Sequence, residues 1–107
     1  MTPQGITVNV HEDRAVVALE GEHEAYAADK LAKHLRALMD EQVGITIDLG
    51  RATFIDSTVV GVLIAAQRRA RELGLAFTLR LGAETGWPVR RLLEVTGKAA
   101  QFDFSRA

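Results

Sequence analysis

Apolar and polar residues alternate near the start of the chain, a pattern that is typical of β-strands. Over residues 6–10, isoleucine and two valines occupy every second position, which predicts a strand with one buried face. Residues 11–13 predict a turn, and the apolar run over 14–19 predicts the returning strand of a hairpin. The next segment, 20–24, is polar and acidic, so we expect a loop there.

Apolar residues spaced by three and four predict amphipathic helices further along the chain. The first predicted helix covers residues 25–41, and the second covers residues 57–73. Asp56 and Ser57 are residue types that favour a helix N-cap. Gly74 is placed to end the second helix in the left-handed conformation that glycine adopts at low cost.

The remaining apolar runs predict three further strands and a third helix. Residues 45–49 form a short β-branched run, and residues 75–81 alternate regularly. Pro88 suits the first position of the third helix, which we expect to begin there and to end at Gly97. Residues 102–104 predict a short final strand.

The predicted order is strand, strand, helix, strand, helix, strand, helix, strand. Strands that alternate with amphipathic helices imply an α/β fold with crossover connections. The initial hairpin makes the sheet mixed, and the single apolar face of each helix predicts packing mainly on one side of the sheet. We expect a single domain over residues 1–107, an ordinary length for one domain.

Composition excludes several classes of site and partner. Thirteen basic and 14 acidic residues give a formal net charge of −1, which provides no global field to attract nucleic acid or an anionic membrane. Without cysteine, the chain has no disulfide, thiolate metal site or cysteine nucleophile. No apolar run approaches the roughly 20 residues that span a bilayer, and the first residues lack a signal-peptide pattern. We therefore expect a cytoplasmic protein without membrane insertion.

The histidines and Ser57 do not form a catalytic or metal-binding pattern. His11, His23 and His34 have no helical i,i+4 spacing. We expect His23, between two glutamates, to be a solvated loop residue rather than a ligand. Ser57 lacks the GxSxG surroundings of a hydrolase nucleophile, and no Walker-type phosphate loop occurs. The sequence predicts no catalytic activity and no cofactor.

Two groups of arginines concentrate positive charge on predicted helices. Arg68, Arg69 and Arg71 lie near the end of the second helix, and Arg90 and Arg91 lie in the third. Acidic neighbours partly neutralise both groups, and no aromatic residues are interleaved for base stacking. We expect solvated helix faces and no direct binding of nucleic acid.

Residues 21–24 read GEHE, residues 47–50 and 54–63 read IDLG and FIDSTVVGVL, and residues 89–97 read VRRLLEVTG. These four segments, in this order, resemble motifs of the STAS family, which is named for sulfate transporters and anti-sigma factor antagonists. The first is similar to the family's G-E-L-D loop, and the next two to its apolar-Asp-Leu strand and its F-x-D-S-[ST]-G-L-G-x-L motif. The last resembles its C-terminal helix, V-[KR]-[KR]-L-[LF]-x-x-[ST]-G. The resemblance covers essentially the whole chain and implies the STAS fold.

Two departures from the family pattern lie where that family contacts its partners. Val59 stands where glycine is usual after the hydroxyl pair. His23 and Glu24 stand where leucine and aspartate are usual. These departures bear on the identity of the partner more than on the fold.

The resemblance implies a standalone anti-sigma factor antagonist, a phosphoprotein that regulates transcription. Such a protein binds an anti-sigma factor and thereby frees the sigma factor. The anti-sigma factor is typically a serine kinase that uses ATP and magnesium, and a protein phosphatase resets the switch. A homodimer is compatible with this interpretation.

The same resemblance places phosphorylation on Ser57 and, less readily, on Thr58. Thr58 is disfavoured because it is β-branched and its hydroxyl can bond back to a helix carbonyl. The residues that the resemblance implies in partner binding are Glu22, His23, Glu24, Asp56, Ser57, Thr58, Val59 and Val60.

Two other functions stay open. The chain could be a non-catalytic accessory or scaffold subunit of a signalling complex or of a transport complex, such as a lipid-trafficking transporter. In that class the fold provides an assembly surface without requiring phosphorylation. A small enzyme is the third option, and the absence of catalytic motifs argues against it.

Overall fold

The computed structural model describes residues 5–95 and 102–105, which form an α/β fold. In chain order its elements are β1 (Gly5–His11), β2 (Arg14–His23), α1 (Ala25–Asp40), β3 (Gly44–Asp48), β4 (Ala52–Ile55), α2 (Ser57–Leu73), β5 (Phe77–Arg80), α3 (Trp87–Val95) and β6 (Asp103–Ser105).

The strands form one mixed sheet in the order β1-β2-β3-β5-β6, with β4 paired to the far end of β2. β1 and β2 are antiparallel because a tight turn joins them. The pairs β2–β3, β3–β5 and β5–β6 are parallel, as crossover connections through helices require. The predicted mixed α/β fold with an N-terminal hairpin is confirmed.

One face of the sheet forms the core, and the other is only half-buried. Along β2, Ala15, Val17 and Leu19 are at most 2% exposed, whereas the residues between them are half-buried. The core face is covered by α1 and α2, which also pack against each other. Leu35 and Leu63 are fully buried in this layer, and each such side chain contributes about 1.5–3 kcal/mol to folding.

The second helix begins and ends where the sequence predicts. Asp56 is the N-cap of α2, and Gly74 follows the helix with φ of 72° and ψ of 24°. This left-handed conformation is accessible to glycine without the steric penalty of a Cβ. The first helix ends at Asp40, one residue earlier than predicted, and the predicted helix end at Gly97 lies outside the described residues.

The predicted acidic loop over 20–24 is wrong for most of its length. β2 continues to His23 because its last residues pair in parallel with β4, a strand that the sequence pattern did not predict. The pairing register shifts between Gly21 and Glu22, and Gly21 has φ of 82°. This irregularity lets β2 pair in parallel first with β3 and then with β4.

α3 packs closely against β4. The Gly86 N–H donates to the carbonyl of Ala52 at 2.8 Å. A Cβ on Gly86 would lie 2.7 Å from the Cα of Thr53, so only glycine permits this approach. α3 begins at Trp87, one residue before the predicted start at Pro88, and Val89 is fully buried.

A polar pair lies on the half-buried face of the sheet. Asp48 accepts hydrogen bonds from the Gly50 N–H at 2.8 Å and from the Arg80 guanidinium at 2.9 Å. Burial opposes the ionisation of Asp48, but these two hydrogen bonds and the positive charges of Arg80 and Arg51 outweigh it. They hold the pKa of this carboxyl below its usual range.

Substituting Asp48 tests this pair through the pH dependence of stability. A carboxyl whose pKa is lowered in the folded state stabilises the fold above its unfolded pKa. That contribution is lost as the pH falls through the folded pKa. We expect Asp48→Asn to lower the free energy of unfolding at neutral pH by about 1 kcal/mol, because the pair is partly exposed to solvent.

Urea unfolding at neutral and acid pH measures the effect, with Glu84→Gln as the control. Glu84 pairs with Arg51 at 3.5 Å through side chains that are mostly exposed, so its loss should be undetectable. Identical pH profiles for the wild type and Asp48→Asn would contradict the assignment.

Candidate functional site

The starts of α1 and α2 lie side by side at one end of the sheet. His23 ends β2 and is paired with Ile55, which ends the parallel strand β4. The Asp56 N–H donates to the carbonyl of His23 at 3.2 Å. Glu24 and Asp56, the next residue on each strand, are the N-caps of the two helices. Strand register therefore places both helix N-termini at the same edge.

Asp56 fixes the first turn of α2. Its extended backbone has φ of −100° and ψ of 177°, and its Oδ1 accepts the Val59 N–H at 3.0 Å. The Asp56 carbonyl accepts the Val60 N–H at 3.2 Å. An aspartate here satisfies one of the N–H groups that the first helical turn leaves unpaired and adds a negative charge where the helix dipole favours it.

Ser57 and Thr58 occupy the first two positions of α2, and both are exposed. Their backbone N–H groups belong to the first turn, which has no intrahelical acceptors. A helix N-terminus of this kind stabilises a nearby anion through these N–H groups and the helix dipole. The position of Ser57 therefore combines an accessible hydroxyl with surroundings that tolerate a phosphate.

Val59 and Val60 point into the protein. Their relative exposures are 0% and 3%, and both belong to the hydrophobic core. The valine that replaces the usual glycine at position 59 is therefore accommodated by core packing. Gly61 is exposed, and a Cβ there would contact no atom within 4 Å, so the helix surface at this point is open.

Glu24 begins α1 without using its side chain. Its carbonyl accepts the N–H groups of Ala27 and Ala28 at 2.8 and 3.1 Å, but its carboxylate makes no capping hydrogen bond. Tyr26, in the first turn of α1, is 79% exposed, with the Lys30 ammonium 4.9 Å from its ring centroid. The sequence reasoning did not include Tyr26 among the candidate site residues. Its aromatic side chain beside a predicted helix start is the signal that could have identified it.

We call the exposed residues of these two helix starts, 24–26 and 57–58, the helix-start surface. Glu22 is exposed on the adjoining end of β2, where it pairs with Phe54. Glu22, Glu24 and Asp56 bring three carboxylates to this end of the molecule. The helix-start surface therefore includes the carboxylate of Glu24 and adjoins those of Glu22 and Asp56 before any modification.

His23 is buried, contrary to the prediction of a solvated loop residue. It is 3% exposed, and its Nε2 lies 2.9 Å from the carbonyl oxygen of Glu20. Among the described residues, none forms a hydrogen bond with its Nδ1. The prediction failed because β2 extends to His23 and turns this side chain toward the interior beneath the helix-start surface.

The arginine groups contribute little to this surface. Arg68, Arg69 and Arg71 are exposed on the later turns of α2, and Arg69 pairs with Glu72 at 3.2 Å. Arg90 is half-buried and donates to the carbonyl of Gly82, which ties α3 to the preceding loop. The first group is solvated as predicted, whereas Arg90 has a structural contact.

Within residues 5–95 and 102–105, no group of three or more histidine, aspartate or glutamate residues is arranged to hold a metal ion. No helix in the same part of the chain is long and apolar enough to cross a membrane.

Residues 6–100 match the family model described as "Mlab, STAS domain". The anti-sigma factor antagonist SpoIIAA in its unphosphorylated form has a similar structure, with a TM-score of 0.80 at 19% identity, covering 96% of this chain and 88% of its own. The phosphorylated form of the Bacillus cell fate determinant SpoIIAA gives 0.74 at 18% identity, covering 96% and 91%.

An anti-sigma factor antagonist from Mycobacterium paratuberculosis gives a TM-score of 0.75 at 22% identity, covering 94% of this chain and 83% of its own. These three solved structures share the fold of this chain. Their sequence identities are all low, so the likeness is one of architecture.

Substitutions of Asp56 test whether it caps α2 through hydrogen bonding or through charge. We expect Asp56→Ala to lower the free energy of unfolding by about 1 kcal/mol, the usual cost of a lost N-cap. Asp56→Asn should retain most of the stability, because asparagine also accepts the Val59 N–H.

Urea denaturation provides the measurement, and Glu24→Ala is the matched control. Because the Glu24 side chain makes no capping bond, its removal should leave stability nearly unchanged. An Asp56→Asn variant as unstable as Asp56→Ala would show that the hydrogen bond is not what stabilises the helix start.

Proposed function

The chain belongs to the STAS domain family, and from this premise we propose that it is an anti-sigma factor antagonist switched off by phosphorylation of Ser57. In its unphosphorylated form it binds an anti-sigma factor through the helix-start surface and so frees the sigma factor. The observation that carries the proposal is the exposed Ser57 hydroxyl at the capped start of α2, beside the start of α1.

The surroundings of Ser57 can accommodate a phosphate group without a change of fold. The group would sit at the positive end of α2, near the unpaired N–H groups of the first turn. The core residues of this turn, Val59 and Val60, point away from it. Phosphorylation therefore adds charge at the surface and leaves the packing beneath intact.

Binding is lost because the partner would have to accommodate the new charge. A phosphoserine carries about −1.5 to −2 charges at neutral pH, next to Asp56 and near Glu24. A surface that fits a neutral hydroxyl must then desolvate this anion. Each ~1.4 kcal/mol of that penalty weakens binding tenfold.

The neighbours with related architecture support a switch of this kind. SpoIIAA has been solved in both an unphosphorylated and a phosphorylated form, and both resemble this chain. In the proposed cycle the anti-sigma factor is also the serine kinase and carries the ATP and magnesium. A protein phosphatase restores the free hydroxyl, and the cycle takes place in the cytoplasm.

The proposed function requires no catalysis by this chain. It contributes the acceptor hydroxyl and the binding surface, while the partners supply the chemistry. We assign direct contacts with the partner to the exposed residues Glu22, Glu24, Ser57 and Thr58. Asp56 orients the start of α2, and the buried His23, Val59 and Val60 shape the same surface from beneath.

A second function is favoured by the name of the matching family model, Mlab. In that alternative the chain is a non-catalytic accessory subunit of a transport complex, such as a lipid-trafficking transporter. The same helix-start surface would bind its partner, but phosphorylation would not control the association. The two functions therefore differ in how the charge at position 57 affects binding.

Three substitutions at position 57 separate charge from size. We expect Ser57→Ala to bind the anti-sigma factor constitutively. Ser57→Asp should bind at least about tenfold more weakly, which corresponds to ~1.4 kcal/mol. Ser57→Asn is the matched control, because it has nearly the size of aspartate without its charge, and it should bind more tightly than Ser57→Asp.

Calorimetry against the cognate anti-sigma factor measures these affinities, and circular dichroism checks that each variant is folded. Equal affinities for Ser57→Asp and Ser57→Asn would contradict the proposal that charge at position 57 weakens binding. A transporter subunit that binds all three variants equally would support the accessory function instead.

Site mapping tests which hydroxyl accepts the phosphate. Ser57 and Thr58 are both exposed, but consecutive helical side chains point about 100° apart, so one kinase pose does not present both equally. We expect the anti-sigma kinase to modify Ser57 with little modification of Thr58. Mass spectrometry of the wild type, Ser57→Ala and Thr58→Ala decides the point. Phosphorylation of Ser57→Ala at the wild-type rate would refute the assignment.

A further inference from the structure

β1 is an edge strand without the usual protection against pairing. It ends the strand order β1-β2-β3-β5-β6, and within the described residues no strand pairs with its outer side. Natural edge strands are normally blunted by lysine, proline, bulges or short length. β1 has seven residues, GITVNVH, with no lysine or proline. Its register with β2 runs without a bulge from Gly5 to His11.

The apolar residues of β1 are only partly covered. Ile6 and Val8 are half-buried against the core, and Val10 is 54% exposed. Thr7 and Asn9 are exposed on the opposite face. Among residues 5–95 and 102–105, the strand therefore presents an unpaired backbone edge together with incompletely buried apolar side chains.

The sequence of β1 is self-complementary in an antiparallel arrangement. If two copies of the strand pair with Val8 opposite Val8, then Ile6 lies opposite Val10 and Thr7 lies opposite Asn9. Apolar residues then meet on one face and uncharged polar residues on the other. The strand contains no lysine, arginine, aspartate or glutamate, so no like-charge pair opposes this register.

We propose that two copies of this chain associate through β1 as an antiparallel pair, which joins their sheets into one. The two-fold axis passes between the facing Val8 residues, perpendicular to the sheet, so that the helices of both copies lie on the same side. Pairing supplies partners to the outer backbone groups of β1 and covers Val10. A C2 interface of this kind stops at two copies, because the β1 edge of each copy is used up by the other.

The opposite edge of the sheet does not offer an equivalent surface. β6 has only three residues, and it includes the charged Asp103. The helix-start surface also stays free, because it lies beyond the end of β2 at His23, whereas β1 pairs with β2 only as far as Glu20. The dimer thus carries two separate helix-start surfaces, and the inference is independent of phosphorylation.

Charged substitutions on the exposed face of β1 test the proposal. In the inferred register, Thr7→Lys with Asn9→Lys places lysines opposite each other twice, and Thr7→Glu with Asn9→Glu does the same with glutamates. Both positions are exposed, so the fold of the protomer should be preserved. Each double variant should be monomeric, and an equimolar mixture of the two should form a heterodimer.

Sedimentation equilibrium over a wide concentration range measures the association, and circular dichroism verifies folding. Ala37→Lys with Ala83→Lys, at exposed positions outside β1, is the control and should dimerise like the wild type. A wild-type chain that stays monomeric throughout would overturn the proposal. A dimeric lysine variant, or double variants that fail to associate when mixed, would equally overturn it.

Discussion

The parallel pairing of the end of β2 with β4 is the constraint on which the rest of the site depends. This short ladder aligns His23 with Ile55, and the Asp56 N–H donates across it to the His23 carbonyl. Since each strand passes directly into a helix, the ladder fixes the relative position of both helix starts. Gly86, which immediately precedes α3, approaches the backbone of β4 closely and donates to the Ala52 carbonyl.

In the proposed function a charge at Ser57 controls binding, and this arrangement is compatible with such control without a change of fold. The first turn of α2 faces the core through Val59 and Val60 and faces solvent through Ser57 and Thr58. A negative charge on the outer face interacts favourably with the helix dipole but is unfavourable for a partner that must exclude water. The core packing is not affected, because Val59 and Val60 lie on the opposite side of the same helical turn.

Features that depend on local sequence could be predicted, as could the general α/β architecture, whereas the pairing of β2 with β4 could not. Apolar stripes gave the extent of α2, residue type limited its N-cap to Asp56 or Ser57, and Gly74 indicated its end, because these features are set within a few residues. β4 has only four residues and is a strand by virtue of its partner β2. The burial of His23 follows from the same pairing, so its polar neighbours in sequence were misleading.

The most direct test of the account is an NMR comparison of the chain before and after phosphorylation of Ser57, each with and without the anti-sigma factor. We expect amide shift changes confined to the starts of α1 and α2 and the adjoining end of β2. Core resonances should be unchanged, and the anti-sigma factor should no longer affect the spectrum of the phosphorylated chain. Shift changes throughout the core, or an anti-sigma factor that binds both forms equally, would contradict it.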